Sequence, residues 1–177
     1  MDKIIIYGGE YGTAEAYAKA LYERTGVRYA DHKTVRRGEK YSEIIYIGSL
    51  YAGNVAGLTK TLKKLGIDGE DGTRLIIATV GLADPEDNKN AERIRASVKR
   101  QIPERAFETA RLVHLRGGID YSRLGLLHRL MMKFLCASLK KKPVGQRTAE
   151  DTAMIAAYGK TLDFTDFGAL ERIVEII

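Results

Sequence analysis

The start of the chain limits its possible folds more than any other stretch. Residues 4–7 (Ile-Ile-Ile-Tyr) do not alternate with polar residues, which predicts a strand buried on both faces. Gly8 and Gly9 end this run, and residues 14–24 then contain good helix formers without glycine or proline. This arrangement favours an anion site, since the backbone N–H groups and the helix dipole attract negative charge. The alternative is an ordinary strand-to-helix turn.

The spacing of the glycines distinguishes between the known kinds of phosphate loop. No Lys-Ser or Lys-Thr pair follows Gly12, as a Walker loop requires, and the glycines lack the G-x-G-x-x-G spacing of a Rossmann fingerprint. The short loop that ends in the hydroxyl of Thr13 resembles the phosphate loop of flavodoxins. This resemblance implies FMN as the cofactor, with its phosphate held by Gly8, Gly9, Glu10, Tyr11, Gly12 and Thr13.

Further apolar runs predict four more strands, at residues 27–30, 44–48, 75–80 and 112–116. Helices are predicted between them at residues 55–65 and 91–101. We therefore expect a flavodoxin-like three-layer α/β sandwich, in which a five-stranded parallel sheet of order 2-1-3-4-5 has helices on both faces. The loops at the carboxyl ends of the strands then meet around one crevice, at residues 8–13, 48–54, 81–90 and 117–121.

The loop after the third predicted strand is the second element of the expected flavin site. Tyr51 can stack on an aromatic ring, and the adjacent Gly53 lets the backbone present its polar groups. The alternative is a tyrosine that packs over the end of the sheet. The resemblance implies that the ring is held by Ser49, Leu50, Tyr51, Ala52, Gly53, Gly81, Leu82, Gly118 and Tyr121. No metal ligand or catalytic residue is assigned, and His114 is interpreted as structural.

Residues 119–147 do not fit a plain five-strand fold. Apolar side chains recur here at helical spacing over residues 124–139, and the basic residues 140–142 follow. The inward-facing set would be Leu124, Leu127, Leu130, Met131, Phe134 and Leu135. Packing of this face on the sheet is the commoner arrangement, and contact with a membrane surface through the helix and the lysines is the alternative.

The motif L-x-x-L-x-x-L-M-x-K-F, which begins at Leu124 after Gly117, Gly118 and Tyr121, is similar to one in flavodoxin-like menaquinone-dependent protoporphyrinogen oxidases. That resemblance implies an FMN-dependent oxidoreductase of porphyrin biosynthesis that passes electrons to a quinone. It also extends to residues 164–177, where a helix is predicted with Asp166 or Thr165 as N-cap. Two alternatives stay open. One is a flavodoxin-type electron carrier that serves redox partner proteins, and the other is a flavodoxin-fold binding module without flavin.

Composition and charge limit the partners and the location. The 177 residues fit a single domain that spans 1–177, and the one cysteine excludes an internal disulfide. Residues 91–147 contain fourteen Lys and Arg against four Asp and Glu, which suggests an anionic partner. Nucleic acid is not expected, because few aromatic residues are interleaved with these charges. Without a signal sequence or an apolar span, the expected location is the cytoplasm, including a peripheral position at the inner face of the membrane.

Overall fold

The computed structural model describes residues 2–177, in which a central parallel sheet is covered by helices on both faces. The strands are β1 (Lys3–Gly8), β2 (Tyr29–Asp31), β3 (Glu43–Tyr51), β4 (Asn54–Val55), β5 (Arg74–Gly81), β6 (Arg111–Arg116), β7 (Gly118–Asp120) and β8 (Thr161–Asp163). The α-helices are α1 (Thr13–Thr25), α2 (Leu58–Leu65), α3 (Asn88–Gln101), α4 (Glu104–Thr109), α5 (Leu126–Lys141), α6 (Ala149–Ala157) and α7 (Glu171–Val174).

The strand order confirms the predicted fold. The parallel strands lie in the order β2-β1-β3-β5-β6, which corresponds to the predicted order 2-1-3-4-5 because β4 pairs antiparallel with the end of β3. The continuously apolar β3 lies between β1 and β5, as expected of a strand buried on both faces. The carboxyl ends of β1, β3, β5 and β6 therefore meet at one edge.

Alternate side chains of each strand pack into two separate cores. Ile4, Ile6 and Ile44 face α2 and α3, whereas Ile5 and Ile45 face α1 and the C-terminal segment. All five side chains are buried. This double burial explains why the strands read as continuous apolar runs.

The helix predicted over residues 55–65 begins later than expected. Val55 belongs to β4, and Gly57, with φ of 75°, is the N-cap of α2. Leu58, Leu62 and Leu65 are buried on one face, as predicted. The predicted start was wrong because the short turn back onto β3 has no periodic apolar signal.

An insertion between β6 and the C-terminus covers the carboxyl edge of the sheet. It consists of the antiparallel pair β7–β8 with α5 and α6 between the two strands. Its core includes Leu82 and Ile119 together with Met132, Leu139 and Met154. The sequence did not predict β7 and β8, which are three residues each.

The predicted inward face of α5 is wrong. Met132, Cys136 and Leu139 are buried instead. The predicted residues Leu127, Leu130, Met131 and Phe134 are exposed, whereas Leu124 is buried and Leu135 is partly buried. Apolar side chains lie on two opposite sides of this helix, and helical spacing alone does not say which side packs inward.

The predicted C-terminal helix forms after Asp166 and ends before Ile177. Its first part is a 3₁₀ turn (Phe167–Leu170), which continues directly into α7 (Glu171–Val174). Asp166 is the N-cap, as predicted, and its carboxylate accepts a hydrogen bond from the N–H of Gly168 at 2.8 Å. Leu170 and Ile173 are fully buried against α1 and the sheet. Among residues 2–177, none of the helices has the length and apolar character needed to cross a bilayer.

Candidate functional site

The glycine loop between β1 and α1 forms one end of the site. Gly9 lies so close to β3 that a Cβ there would be 2.5 Å from Ser49 Oγ. Gly12 has a φ of 81° and is the N-cap of α1, and no side chain caps this helix end. The first N–H groups of α1 therefore have no capping side chain, which makes this end suitable for an anion.

The side chains of the loop contact the insertion. The Tyr11 hydroxyl donates a hydrogen bond to Met132 Sδ at 2.9 Å, and Glu10 lies 3.5 Å from His128 Nε2. Burial raises the pKa of Tyr11 to about 12, with smaller contributions from Tyr51 and Glu10, so its phenol stays protonated at neutral pH. The loop is thus fixed to α5 by both of its long side chains.

Thr13 is directed toward the start of β7. Its hydroxyl donates a hydrogen bond to the carbonyl oxygen of Gly118 at 3.3 Å. An anion in the loop would have to compete with this carbonyl for the hydroxyl proton. Most donors that the loop offers to a phosphate are therefore backbone N–H groups, because the hydroxyls of Tyr11 and Thr13 both already have acceptors.

The loops after β3 and β5 form the other end. Tyr51 is partly buried against the core of the insertion, whereas Ala52 and Gly53 are exposed in a tight turn between β3 and β4. Both turn residues have positive φ, 49° and 79°. Leu50 and Leu82 are buried on either side of the crevice.

Glu150 occupies this second end of the site. It lies near the start of α6, and its two carboxylate oxygens accept hydrogen bonds from the N–H groups of Leu82 and Ala83, each at 2.9 Å. Burial raises the pKa of Glu150, and the two backbone hydrogen bonds oppose that rise in part. The carboxylate thus binds the backbone donors that follow β5.

Seven of the predicted site residues line one small cavity. Its volume is about 20 Å³, space for roughly one water molecule. Glu150 and Met154, which are four residues apart on one face of α6, close it. The seven predicted residues are Tyr11, Thr13, Ser49, Leu50, Gly81, Leu82 and Gly118.

The remaining predicted residues lie around this cavity. Gly8 ends β1, packed against the Ala56 carbonyl and the Tyr46 hydroxyl, and Gly9, Glu10 and Gly12 lie in the loop that follows. Tyr51, Ala52 and Gly53 form the β3–β4 turn. Tyr121 lies in the insertion, and the direct assignment of all these residues to FMN stays a prediction.

Tyr121 contributes an unpaired polar atom. Its hydroxyl is buried and has no hydrogen-bond partner among the residues that the structure describes. Burial raises its pKa to about 12. Its ring packs edge-on against Tyr158, with 5.4 Å between the ring centroids. An unmet buried hydroxyl costs about 1–3 kcal/mol, so a ligand that supplied an acceptor there would gain affinity.

The glycine-loop end of the site fits the phosphate of FMN, whereas the end closed by α6 leaves too little space for the flavin ring. The uncapped start of α1 and the glycine loop suit a phosphate group. The cavity between Leu50 and Leu82 is far smaller than an isoalloxazine ring, because α6 fills the crevice. The sequence did not predict Glu150, Met154 or Met132 at this site. Only the capping box at Thr148, which marks the start of α6, was visible as a signal.

His114, interpreted from the sequence as structural, lies in β6 away from this cavity. Its Nδ1 is 2.8 Å from the Thr79 hydroxyl. Burial lowers its pKa, and the charges of Arg172 and Arg95 lower it further. Among residues 2–177, no cluster of three or more His, Cys, Asp or Glu side chains could hold a metal ion.

A parallel sheet of this order, with a glycine loop after β1 and a crevice at the switch point between β1 and β3, is the architecture of doubly wound proteins, a class that binds nucleotides or flavins at that point. Residues 4–144 match the sequence family described as the flavodoxin domain, and the chain belongs to that family. Family membership implies that the chain binds FMN and transfers electrons with redox partner proteins. No protein of curated function matches the sequence.

Solved structures similar to this chain include flavodoxins. Two single-residue variants of flavodoxin from Pseudomonas aeruginosa are each 17% identical to it, cover 78% of this chain and 96% of their own, and give TM-scores of 0.39 and 0.40. Oxidised flavodoxin 1 from Bacillus cereus is 15% identical, covers 66% of this chain and 86% of its own, and gives a TM-score of 0.35. The family assignment rests on the sequence match.

Proposed function

We propose that this chain is an FMN-dependent oxidoreductase, similar to the menaquinone-dependent protoporphyrinogen oxidases, that passes electrons to a quinone at a membrane surface. The observation that carries this proposal is the outer face of α5. Leu126, Leu127 and Phe134 are 88%, 68% and 68% exposed, and Leu130 and Met131 lie beside them on the same side. Exposed apolar faces of this kind are typical of interaction surfaces.

The charges around this face favour an anionic membrane. Residues 121–149 contain seven Lys and Arg and no Asp or Glu. Arg129 and Lys133 border a surface groove of about 560 Å³ whose other walls are Leu126, Leu127, Leu130 and Tyr158. An amphipathic helix with apolar side chains on one face and basic residues beside them lies in the membrane interface. We therefore assign a peripheral membrane contact to α5.

The same helix is joined to the cofactor loop. Met132 and His128 of α5 contact Tyr11 and Glu10 of the glycine loop. The exposed apolar face lies on the opposite side of α5 from Met132, so a quinone bound there would be about one helix diameter, roughly 10 Å, from the glycine loop. This proximity is what distinguishes the proposal from a generic membrane anchor.

FMN supplies the electron-transfer chemistry when it is bound, and the protein supplies binding and orientation. In each turnover the donor loses two electrons and two protons, and a quinone gains them to become a quinol. The N–H groups at the start of α1, with Gly9 and Gly12, would hold the phosphate. Tyr51 and Leu82 would border the ring, and the protonated Tyr11 would hold α5 beside it through Met132.

A turnover assay tests this function. Protein loaded with FMN is supplied with protoporphyrinogen and menadione, and porphyrin fluorescence is followed. Porphyrin formation that depends on protein, FMN and quinone supports the proposal. If no quinone-dependent turnover occurs while the loaded protein still exchanges electrons with a flavodoxin reductase, the second candidate is correct. That candidate, a flavodoxin-type electron carrier, is favoured by the family match over residues 4–144.

Vesicle binding tests the membrane contact. Leu127 and Phe134 are each 68% exposed. Complete burial of such a side chain yields about 1.5–3 kcal/mol, so burying the exposed part yields about 1–2 kcal/mol each. Replacing both residues with glutamine should weaken binding to anionic phospholipid vesicles by about 30-fold or more.

A matched control and the effect of salt complete this test. Tyr22→Ser removes a large apolar side chain that is 44% exposed on α1, and it should leave vesicle binding unchanged. Binding of the wild-type protein should also weaken with salt and with uncharged lipid, because the basic residues contribute. Equal binding by the double variant and the wild-type protein would contradict the assignment of α5.

A further inference from the structure

We infer that Glu150 competes with the flavin ring for the same backbone donors. Its carboxylate occupies the N–H groups of Leu82 and Ala83 after β5, and α6 must move away when the ring enters. This inference rests on the proposed FMN function and adds a residue that determines cofactor affinity. The first observation is the pair of 2.9 Å hydrogen bonds from the N–H groups of Leu82 and Ala83 to the two oxygens of Glu150.

Those two N–H groups are donors at the ligand-binding edge of the fold. They follow β5 at the carboxyl edge of the sheet, next to the switch point where doubly wound proteins bind their ligands. The pyrimidine edge of a flavin carries carbonyl oxygens, which require N–H partners once they leave water. A carboxylate and a flavin edge are both acceptors, so the two cannot use the same donors at once.

The volume of the crevice supports the same conclusion. The cavity bounded by Leu50, Leu82, Glu150 and Met154 has a volume of about 20 Å³, which excludes a tricyclic ring. A Cβ on Gly81 would lie 2.9 Å from the Glu150 carboxylate, so α6 packs directly on this loop. A ring can enter only if Glu150 and Met154 withdraw together, because both lie on one face of α6.

The start of α6, which carries Glu150, is held by local hydrogen bonds. Thr148 and Asp151 form a capping box that holds the start of α6 without help from the sheet. The helix is only nine residues long and is preceded by residues 140–146, all of which are exposed. Withdrawal of α6 would therefore break the two Glu150 hydrogen bonds and expose the buried side chains of Met154 and Ala157, while the helix start keeps its capping box.

Flavin titration tests the inference. Glu150→Ala should bind FMN about tenfold or more tightly than the wild-type protein, because the closed arrangement lowers the fraction of molecules that can accept the ring. Glu150→Gln keeps an acceptor oxygen without the charge and should give a smaller gain. Glu92→Ala, an exposed glutamate on α3, is the matched control and should change nothing.

Two further probes separate competition from a structural role. The affinity for riboflavin, which lacks the phosphate, should rise in Glu150→Ala by the same factor as the affinity for FMN. The affinity for inorganic phosphate should not change. Hydrogen exchange of the wild-type protein should become slower at residues 9–14 and faster at residues 149–157 when FMN binds. If Glu150 only stabilises the contact between α6 and the loop after β5, the opposite is expected: Glu150→Ala should bind flavin more weakly, and α6 should exchange more slowly when FMN binds.

The outcomes distinguish this inference from the proposed function. If the wild-type protein and Glu150→Ala bind FMN equally, or the variant binds it more weakly, Glu150 is not a competitor and the FMN function is unaffected. If neither binds FMN at any concentration tested, both are wrong. Tighter binding by Glu150→Ala, together with faster exchange of α6 in the loaded wild-type protein, supports the inference.

Discussion

Replacing Gly12 with valine tests the phosphate end of the site. Gly12 has a φ of 81°, and nothing lies within 4 Å of the position that its Cβ would take. Valine would therefore have enough space, but it would be strained in this backbone conformation, because a β-branched residue in the left-handed region costs about 1–2 kcal/mol. We expect the variant to relieve this strain by rotating φ, which would turn the first N–H groups of α1 away from the anion position.

Gly26 provides a matched control at the other end of the same helix. It is the C-cap of α1, has a φ of 71°, and likewise has open space within 4 Å of where a Cβ would lie. Gly12→Val and Gly26→Val should therefore lose similar unfolding free energy, about 1–2 kcal/mol each. Only Gly12→Val should lose FMN affinity. One lost hydrogen bond to a charged phosphate is worth about 1.5–3 kcal/mol, or roughly 10–150-fold in Kd.

The assay is a titration that follows the quenching of flavin fluorescence, carried out with FMN and with riboflavin. Riboflavin has no phosphate, so the substitution of Gly12 should weaken its binding far less. If Gly12→Val and Gly26→Val bind FMN equally well, the loop after β1 does not hold the phosphate. An equal loss for FMN and riboflavin would likewise refute the assignment, because the effect would then concern the ring.

Two further predictions concern stability. Burial lowers the folded-state pKa of His114, so the unfolded chain binds a proton at this residue more tightly than the folded chain does. The unfolding free energy should therefore fall as pH drops from about 6.5 through the lowered pKa. Urea denaturation of His114→Gln should show a smaller fall over the same pH range. The Tyr46 hydroxyl donates a 2.6 Å hydrogen bond to the Ala56 carbonyl, so Tyr46→Phe should cost about 1–3 kcal/mol in the same measurement, and an unchanged midpoint would contradict that role.

The parallel sheet could be predicted because its signal is local and repeated. Residues 4–7 and 44–48 are apolar without alternation, and the structure places both in strands covered on two faces. The strand order followed from the family resemblance and from the rules for parallel crossovers. The short strands β7 and β8 lacked such a run and were missed.

The outer face of α5 was not predictable from spacing. Leu126, Leu130 and Phe134 repeat every four residues on one side, and Met132 and Cys136 do so on the other. Both stripes satisfy the helical period, so only the tertiary contacts determine which one is buried. Most apolar residues of the family motif, namely Leu127, Leu130, Met131 and Phe134, lie on the exposed stripe.

Glu150 was missed for a different reason. Its partners are the backbone N–H groups of Leu82 and Ala83, 68 and 67 residues away in the chain. Every residue except proline has such a donor, so no residue type in the loop after β5 marks the contact. Within the glycine loop, by contrast, the positive φ of Gly12 could be anticipated because glycine adopts it without strain.

The visible absorption spectrum of the purified protein decides whether the chain retains FMN. The protein is incubated with FMN, desalted, and scanned, with Gly12→Val treated in parallel. We expect a flavin spectrum that stays with the wild-type protein at about one FMN per chain and is lost from the variant. A wild-type protein that emerges colourless after exposure to excess FMN would contradict the proposed redox function, although the parallel sheet would still stand.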